Sequence, residues 1–226
     1  WETLPYDVLS PQEDIVSERL ETLYRMTSGA KGLDVVIASA VTAAQRMAPV
    51  AYVGANTFFF RPGDKLSVDG FRANLAAAGY ANVKQVLAAG EFAVRGSIID
   101  VFPMGSDKPF RLDLFDDEIE SIRWFDVETQ RSMETVGEIR LLPGHEFPVT
   151  PEAVADFRQR WRTRFAGDPG KSLVYRDIGN GVLPPGIEYY LPLFFGETAT
   201  LSDYLPAGTR VVLAGDVQGA LAGFMK

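Results

Sequence analysis

The sequence predicts a chain of mixed class, α/β in its outer parts and α+β in its middle. Three observations predict it. Residues 33–48 read as a short apolar run followed by a helical stretch, the order found in α/β units. Residues 91–126 carry strand-like alternation across two turn-like breaks, the pattern of an antiparallel sheet. Residues 209–214 (TRVVLA) form a second candidate for a buried strand.

Element by element, residues 1–12 are rich in turn formers, and helical periodicity then runs over 13–26, with Ile15, Leu20, Leu23 and Tyr24 on one side. A Ser-Gly-Ala-Lys-Gly break precedes the strand expected at 33–38. The helix expected over 39–48 has Ser39 as its cap and stops before Pro49. Composition changes near Val53. Phe58, Phe59 and Phe60 lead into an Arg-Pro-Gly-Asp turn, and Ser67 or Asp69 caps a helix that ends at Gly79. Strands are expected at 91–102, 109–116 and 118–126, joined by the PMGSDK loop and by Asp116-Asp117. Residues 139–149 are strand-like. Thr150-Pro151-Glu152 combines a cap, a first-turn proline and an acid at the positive helix end, so a helix runs from there to about Phe165. Residues 171–196, rich in Gly, Pro and aromatics, read as irregular packing.

Composition bounds the function. The 226 residues, 46% apolar and 23% charged, describe a soluble globular chain with room for one large domain or two small ones. No apolar run approaches the roughly 20 residues that span a bilayer, and no signal segment opens the chain. The start at Trp1 without a Met points to a fragment. There are no cysteines, which excludes disulfides and thiolate chemistry and fits a reducing cytosol. His145 is the only histidine, so multi-histidine metal sites are excluded; a lone loop histidine reads as structural rather than catalytic. A net charge of −8 weakens long-range attraction to a phosphate backbone. No phosphate-loop motif and no GxSxG elbow occur; Gly179-Asn180-Gly181 reads as a turn. Asp116, Asp117 and Glu118 read as a solvated hairpin turn rather than a hard-cation site. No metal and no cofactor are expected.

The most informative segment is 109–116. At period two, Phe110, Leu112 and Leu114 point to one side, and Arg111, Asp113 and Phe115 to the other. An aromatic among charges on what should be a solvated face has the composition of a protein-binding hot spot. If 91–102 pairs with 109–116 around the PMGSDK loop, Arg95 faces Phe115 and Ser97 faces Asp113, opposite Val94, Leu112 and Leu114. The bland reading is an Arg95–Asp113 pair across the sheet, with Phe115 covered by residues 58–60. Arg123 and Asp113 are second-tier candidates, and Trp124 reads as core or edge packing. A competing reading, nucleic-acid binding, rests on Arg158, Arg160, Arg162 and Arg164 with Trp161. These charges spread around a helix, and Phe157, Trp161 and Phe165 are expected to face its core.

Long stretches resemble a known family. RGSIIDVFP at 95–103, then RLDLFDDEIESIRWFD and ETQRS, resemble the damage-recognition helicase UvrB and, more closely, the bacterial transcription-repair coupling factors (Mfd). WETLPYD at the start, AAGY at 77–80, LLPGHEFP at 141–148, LPPGIEYYLPLFF at 183–195 and LSDYLPAGTRVV at 201–212 extend the resemblance to nearly the whole chain. It implies a UvrB-like, degenerate helicase-type α/β domain (1A/1B), from residues 1–52 and 143–226. Residues 53–142 would be the inserted α+β domain 2, with an antiparallel sheet. In this family domain 2 binds UvrA, and the resemblance places those contacts at Arg95, Arg111 and Phe115. Asn82 and Ala93 stand where UvrB tends to carry docking arginines. Leu213-Ala214-Gly215-Asp216-Val217 lacks the acidic pair of a DExH box, and no room exists between Ile37 and Tyr52 for UvrB's DNA-clamping hairpin. The resemblance therefore implies a non-enzymatic UvrA-docking fragment in the bacterial cytoplasm, with DNA binding weak or absent. The complete protein would be an ATP-dependent DNA translocase that engages RNA polymerase and masks this face with its C-terminal domain.

Overall fold

The structure, a computed structural model, describes residues 9–28 and 35–224. In chain order these form α1 (Glu13–Thr27), α2 (Ala40–Ala44), α3 (Val50–Ala55), β1 (Phe58–Phe60), α4 (Val68–Ala77), β2 (Ala81–Asn82), β3 (Glu91–Arg95) and β4 (Ile98–Val101). There follow β5 (Phe110–Phe115), β6 (Glu118–Phe125), β7 (Ser132–Thr135), β8 (Ile139–Leu141), α5 (Pro151–Arg164), α6 (Leu173–Gly179) and α7 (Val217–Phe224). Contacts divide the chain into two compact units, one drawn from 1–11, 22–52 and 152–226, the other from 12–21 and 53–151. Among the described residues no helix is long and apolar enough to cross a membrane.

The 12–21 and 53–151 unit is built on a six-stranded sheet in the order β2-β3-β4-β5-β6-β7, antiparallel except for the β2–β3 pair. Alternation sorts its side chains. Val94, Ile99, Leu112 and Ile122 are successive cross-strand partners, and the last three are fully buried. One residue along, Ala93, Asp100, Arg111 and Arg123 are partners on the opposite face. A two-stranded ladder of β1 with β8 brings Phe58 opposite Leu141 and closes the ends of this segment. Ser67, one of the two expected caps, starts α4 by accepting the Gly70 N–H at 3.3 Å. The Tyr80 hydroxyl donates to the Leu142 carbonyl at 2.7 Å and accepts the Met104 N–H at 3.1 Å, which ties the loop after β4 to the segment after β8. Gly144 is required where it stands: its N–H donates to the Ala78 carbonyl at 2.6 Å, and an added Cβ would meet the Gly79 carbonyl carbon at 2.7 Å. The neighbouring His145 ring stacks on Phe147, centroids 5.2 Å apart, and burial lowers its pKa to about 4. Glu146 is buried as an ion pair with Arg19; burial pushes its carboxyl up, and Arg19 pulls against that shift.

α5 begins at Pro151, as the cap pattern predicts, and from Glu152 onward belongs to the other unit. Its buried Phe157 lies 4.8 Å from the Phe194 ring, and Trp161 lies 5.3 Å from Tyr190. Phe165, expected in the core, is instead exposed at the helix end, one face against Trp161. The Tyr204 hydroxyl donates to the Ala48 carbonyl at 2.8 Å, and Met47 bridges Ala199.

Several sequence expectations need correction. Residues 91–102 are two strands rather than one, because Gly96 takes φ +61 and Gly96-Ser97 makes a two-residue hairpin between Arg95 and Ile98. Neither 35–38 nor 209–214 forms a buried strand; residues 33–34 lie outside the described residues. Ile37 is 93% and Val212 86% exposed. An apolar run becomes a strand only when a neighbouring ladder accepts its backbone groups, and none of the described residues of this unit supplies one. Both runs border an apolar cavity of ≈ 1120 Å³. The strand expected over 139–149 is limited to β8, whereas β1, β2 and β7 had no expectation attached.

Candidate protein-docking surface

Two tight hairpins define one end of the six-stranded sheet. β3 and β4 turn at Gly96-Ser97, and β5 and β6 turn at Asp116-Asp117, where Asp116 adopts φ +58, a conformation that Asp tolerates better than most residues. Because β4 and β5 are antiparallel, both turns fall at the same end, and the Leu114 N–H donates to the Ser97 carbonyl at 2.9 Å. Residues 63–66 brace the second hairpin. Gly63 N–H donates to the Ile119 carbonyl at 2.8 Å, Leu66 N–H to that of Asp117 at 2.7 Å, and Ile119 N–H to that of Asp64 at 2.9 Å.

Phe115 stands at that braced tip and is 76% exposed. Residues 58–60 do not cover it. It shares the face opposite Leu112 and Leu114 with Asp113 and Arg111. Arg95 lies on the same face, in a cross-strand row with Ile98, Asp113 and Ser121. The expected Arg95–Phe115 pairing does not occur, since the 96–97 hairpin places β4 between β3 and β5. At about 4.8 Å per strand, Arg95 and Phe115 are still only on the order of 12 Å apart along the backbone.

Behind this rim sits a buried charge knot. Asp100, 1% exposed, accepts Arg111 Nε on Oδ1 at 2.6 Å and Arg111 Nη2 on Oδ2 at 3.0 Å; Arg95 Nη2 also bonds Oδ2. Arg111 Nη1 donates to the Gln130 carbonyl at 3.2 Å and to Ser132 Oγ at 3.1 Å, and its guanidinium lies 4.9 Å over the Phe125 ring. The Arg111 side chain is only 14% exposed, and its pKa is held above its ordinary value, chiefly by the hydrogen bond to Asp100. Arg95 is half exposed, with Asp100 as its acid partner. Arg123 approaches Asp113 at 3.7 Å, and Asp113 also accepts the Ser121 hydroxyl at 3.0 Å. The surface thus offers one bare ring, one half-free guanidinium and a second guanidinium held almost entirely from within.

Residues 58–147, which hold this whole sheet end, match the UvrB interaction domain family. The transcription-repair-coupling factor of Haemophilus influenzae is 48% identical over 215 residues, 94% of this chain and 18% of that protein. Its counterpart in Escherichia coli is 45% identical over 225 residues, 99% of this chain and 19% of that protein. The one in Bacillus subtilis is 28% identical over 94% of this chain. The chain is homologous to a segment of the transcription-repair coupling factors. It spans about a fifth of the length of these relatives.

Every sequence-predicted site residue, Arg95, Arg111, Asp113, Phe115 and Arg123, lies inside the UvrB interaction domain and on one face of its sheet. Trp124 is half-buried at the side, with Lys108 Nζ 4.4 Å over its ring and its indole N–H bonded to Glu134. Sequence reasoning missed Asp100, although an acid inside the apolar run IIDVF marks a buried charge that needs partners. It had no signal for the Gln130 carbonyl, which a non-glycine residue at φ +59 aims at Arg111. Three of the four arginines of α5, outside the domain match, are engaged: Arg160 with the Leu193 carbonyl and Asp156, Arg162 with the Tyr175 hydroxyl, and Arg158 over the Tyr175 ring; Arg164 is exposed at the helix end.

Proposed function

We propose that this chain is the UvrA-docking module of a transcription-repair coupling factor, acting in nucleotide excision repair by binding rather than by catalysis. The observation that carries this reading is Phe115, exposed at a braced hairpin tip on the same sheet face as Arg95 and Arg111, within a UvrB interaction domain. An exposed aromatic beside an arginine is the side-chain combination enriched at binding hot spots, and rigidity reduces the ordering penalty of binding. Residues 53–142 act as the UvrA-binding domain 2. The remainder is read as part of a UvrB-like 1A/1B domain. That protein is a cytoplasmic ATP-dependent DNA translocase that engages RNA polymerase and masks this face with its C-terminal domain through regions outside this chain.

Titrating purified UvrA against the chain by calorimetry tests the reading. Phe115→Ala should weaken binding by about 1–3 kcal/mol, roughly five- to 150-fold, with an unchanged circular dichroism spectrum. Equal affinity for the two folded proteins would refute it. A salt-dependent DNA shift at micromolar protein would favour nucleic-acid binding instead.

A further inference from the structure

We infer that the docking surface has two anchors, Arg95 and Phe115, and that Asp100 with Arg111 forms a buried positioning device that aims Arg95 at the partner. The inference rests on the docking reading and deepens it by assigning unequal roles within the site.

The argument is a count of donors. A guanidinium has five N–H groups in a planar fork. In Arg111, Nε–H and one Nη2–H go to the Asp100 carboxylate, and Nη1 serves both the Gln130 carbonyl and Ser132 Oγ. One N–H remains, on a side chain that is 14% exposed and stacked over Phe125. Arg111 is thus placed to organise the sheet rather than to grip another molecule. Arg95 is its inverse: half exposed, anchored at one Nη2 to Asp100, with the rest of the fork unassigned. Asp100 Oδ2 is shared by Nη2 of Arg111 and Nη2 of Arg95. That shared atom transmits position, because Arg111 fixes the carboxylate and the carboxylate fixes the direction of the Arg95 fork. Asp100 has essentially no access to water, and its side-chain partners among the described residues are these two arginines.

The partner's chemistry follows. It presents an apolar pocket for the Phe115 ring, and roughly 12 Å away a carboxylate or paired carbonyls able to take a planar fork. It needs no acceptor for Arg111.

The test is a set of mutant cycles read as UvrA affinity at low temperature, on variants verified as folded by circular dichroism. Arg95→Ala and Phe115→Ala should each weaken binding about tenfold or more; Phe115→Ala should leave the melting temperature unchanged, and Arg95→Ala should lower it less than Asp100→Asn does, because Arg111 still pairs with the buried carboxylate. Asp100→Asn should lower the melting temperature and weaken binding to the same degree as Arg95→Ala. Adding Asp100→Asn to Arg95→Ala should cost less than a further twofold, a non-additivity that a merely structural role does not produce. If Asp100→Asn does not fold, Arg111→Lys, which keeps the charge and loses the fork, takes its place in the same cycle. A further tenfold loss from Asp100→Asn or Arg111→Lys in the Arg95→Ala background would overturn the positioning role, with the docking reading intact. Full affinity in both Arg95→Ala and Phe115→Ala would remove the docking reading and this inference with it.

Discussion

His145 makes the stability of the 53–151 region dependent on pH in a direction the structure fixes. Burial moves its pKa from 6.5 down to about 4 in the folded state. The unfolded chain therefore takes up a proton as pH falls through 6.5, and the folded chain does not until about 4. Stability is fully present above pH 6.5, falls between 6.5 and 4, and loses nothing further below. With those two values the loss reaches about 2 kcal/mol at pH 5 and approaches about 3 kcal/mol at the acid end, at 1.36 kcal/mol per unit. The adjacent Glu146 works in the opposite sense, because its carboxyl is raised on folding and so favours the folded state as acid is added. A variant comparison separates the two. His145→Phe keeps an aromatic ring against Phe147 and removes the titration. Urea unfolding at pH 8 and pH 5 should show wild type losing about 2 kcal/mol more than His145→Phe over that interval. Stability differences between the two proteins that agree within about 0.5 kcal/mol at both pH values would refute the assignment.

Other expectations follow from particular contacts. Asp100→Ala leaves Arg111 buried without its acid and should cost about 3–5 kcal/mol in chemical denaturation, whereas Asp100→Val with Arg111→Leu, which removes both charges, should recover much of that loss. Gly144→Ala drives a methyl into the Gly79 carbonyl and should cost about 1–3 kcal/mol by thermal melting, with Gly79 backbone amide signals displaced. Gly96→Val forces a β-branched residue to φ +61; it should cost about 1–2 kcal/mol and also weaken UvrA binding, because Arg95 precedes that turn.

Local rules made most of the 53–151 region legible. The period-two alternation of RLDLF assigned each side chain of β5 to its face, and Ser67 and Asp116-Asp117 marked a cap and a turn that the backbone adopts. Register was less legible. A single Gly inside the run AVRGSIID is compatible with a bulge, a continuing strand or a hairpin, and only long-range pairing of 98–101 with 110–113 selects the hairpin. That choice moved Arg95 from beside Phe115 to two strands away. The apolar runs at 35–38 and 209–214 failed for the opposite reason: their composition is that of central strands, yet strand formation belongs to the pair and not to the segment.

The site shows the same division between what a residue is and what surrounds it. Composition alone ranks Arg95 and Arg111 as equal anchors, since both are arginines on one face near an aromatic. Burial and hydrogen bonding separate them, and what separates them is Asp100, an acid that pattern reading assigns to neither face with any purpose. A charge inside an apolar strand costs several kcal/mol unless it is paired. Its presence in β4 therefore demands cations from the neighbouring strands before any partner arrives. β3 and β5 supply one each, and the one from β5 is enclosed by Gln130 and Ser132 while the one from β3 reaches the rim. The need to neutralise a buried carboxylate thus encloses one guanidinium and leaves the other half exposed, so in the proposed docking the same three side chains would serve both folding and recognition.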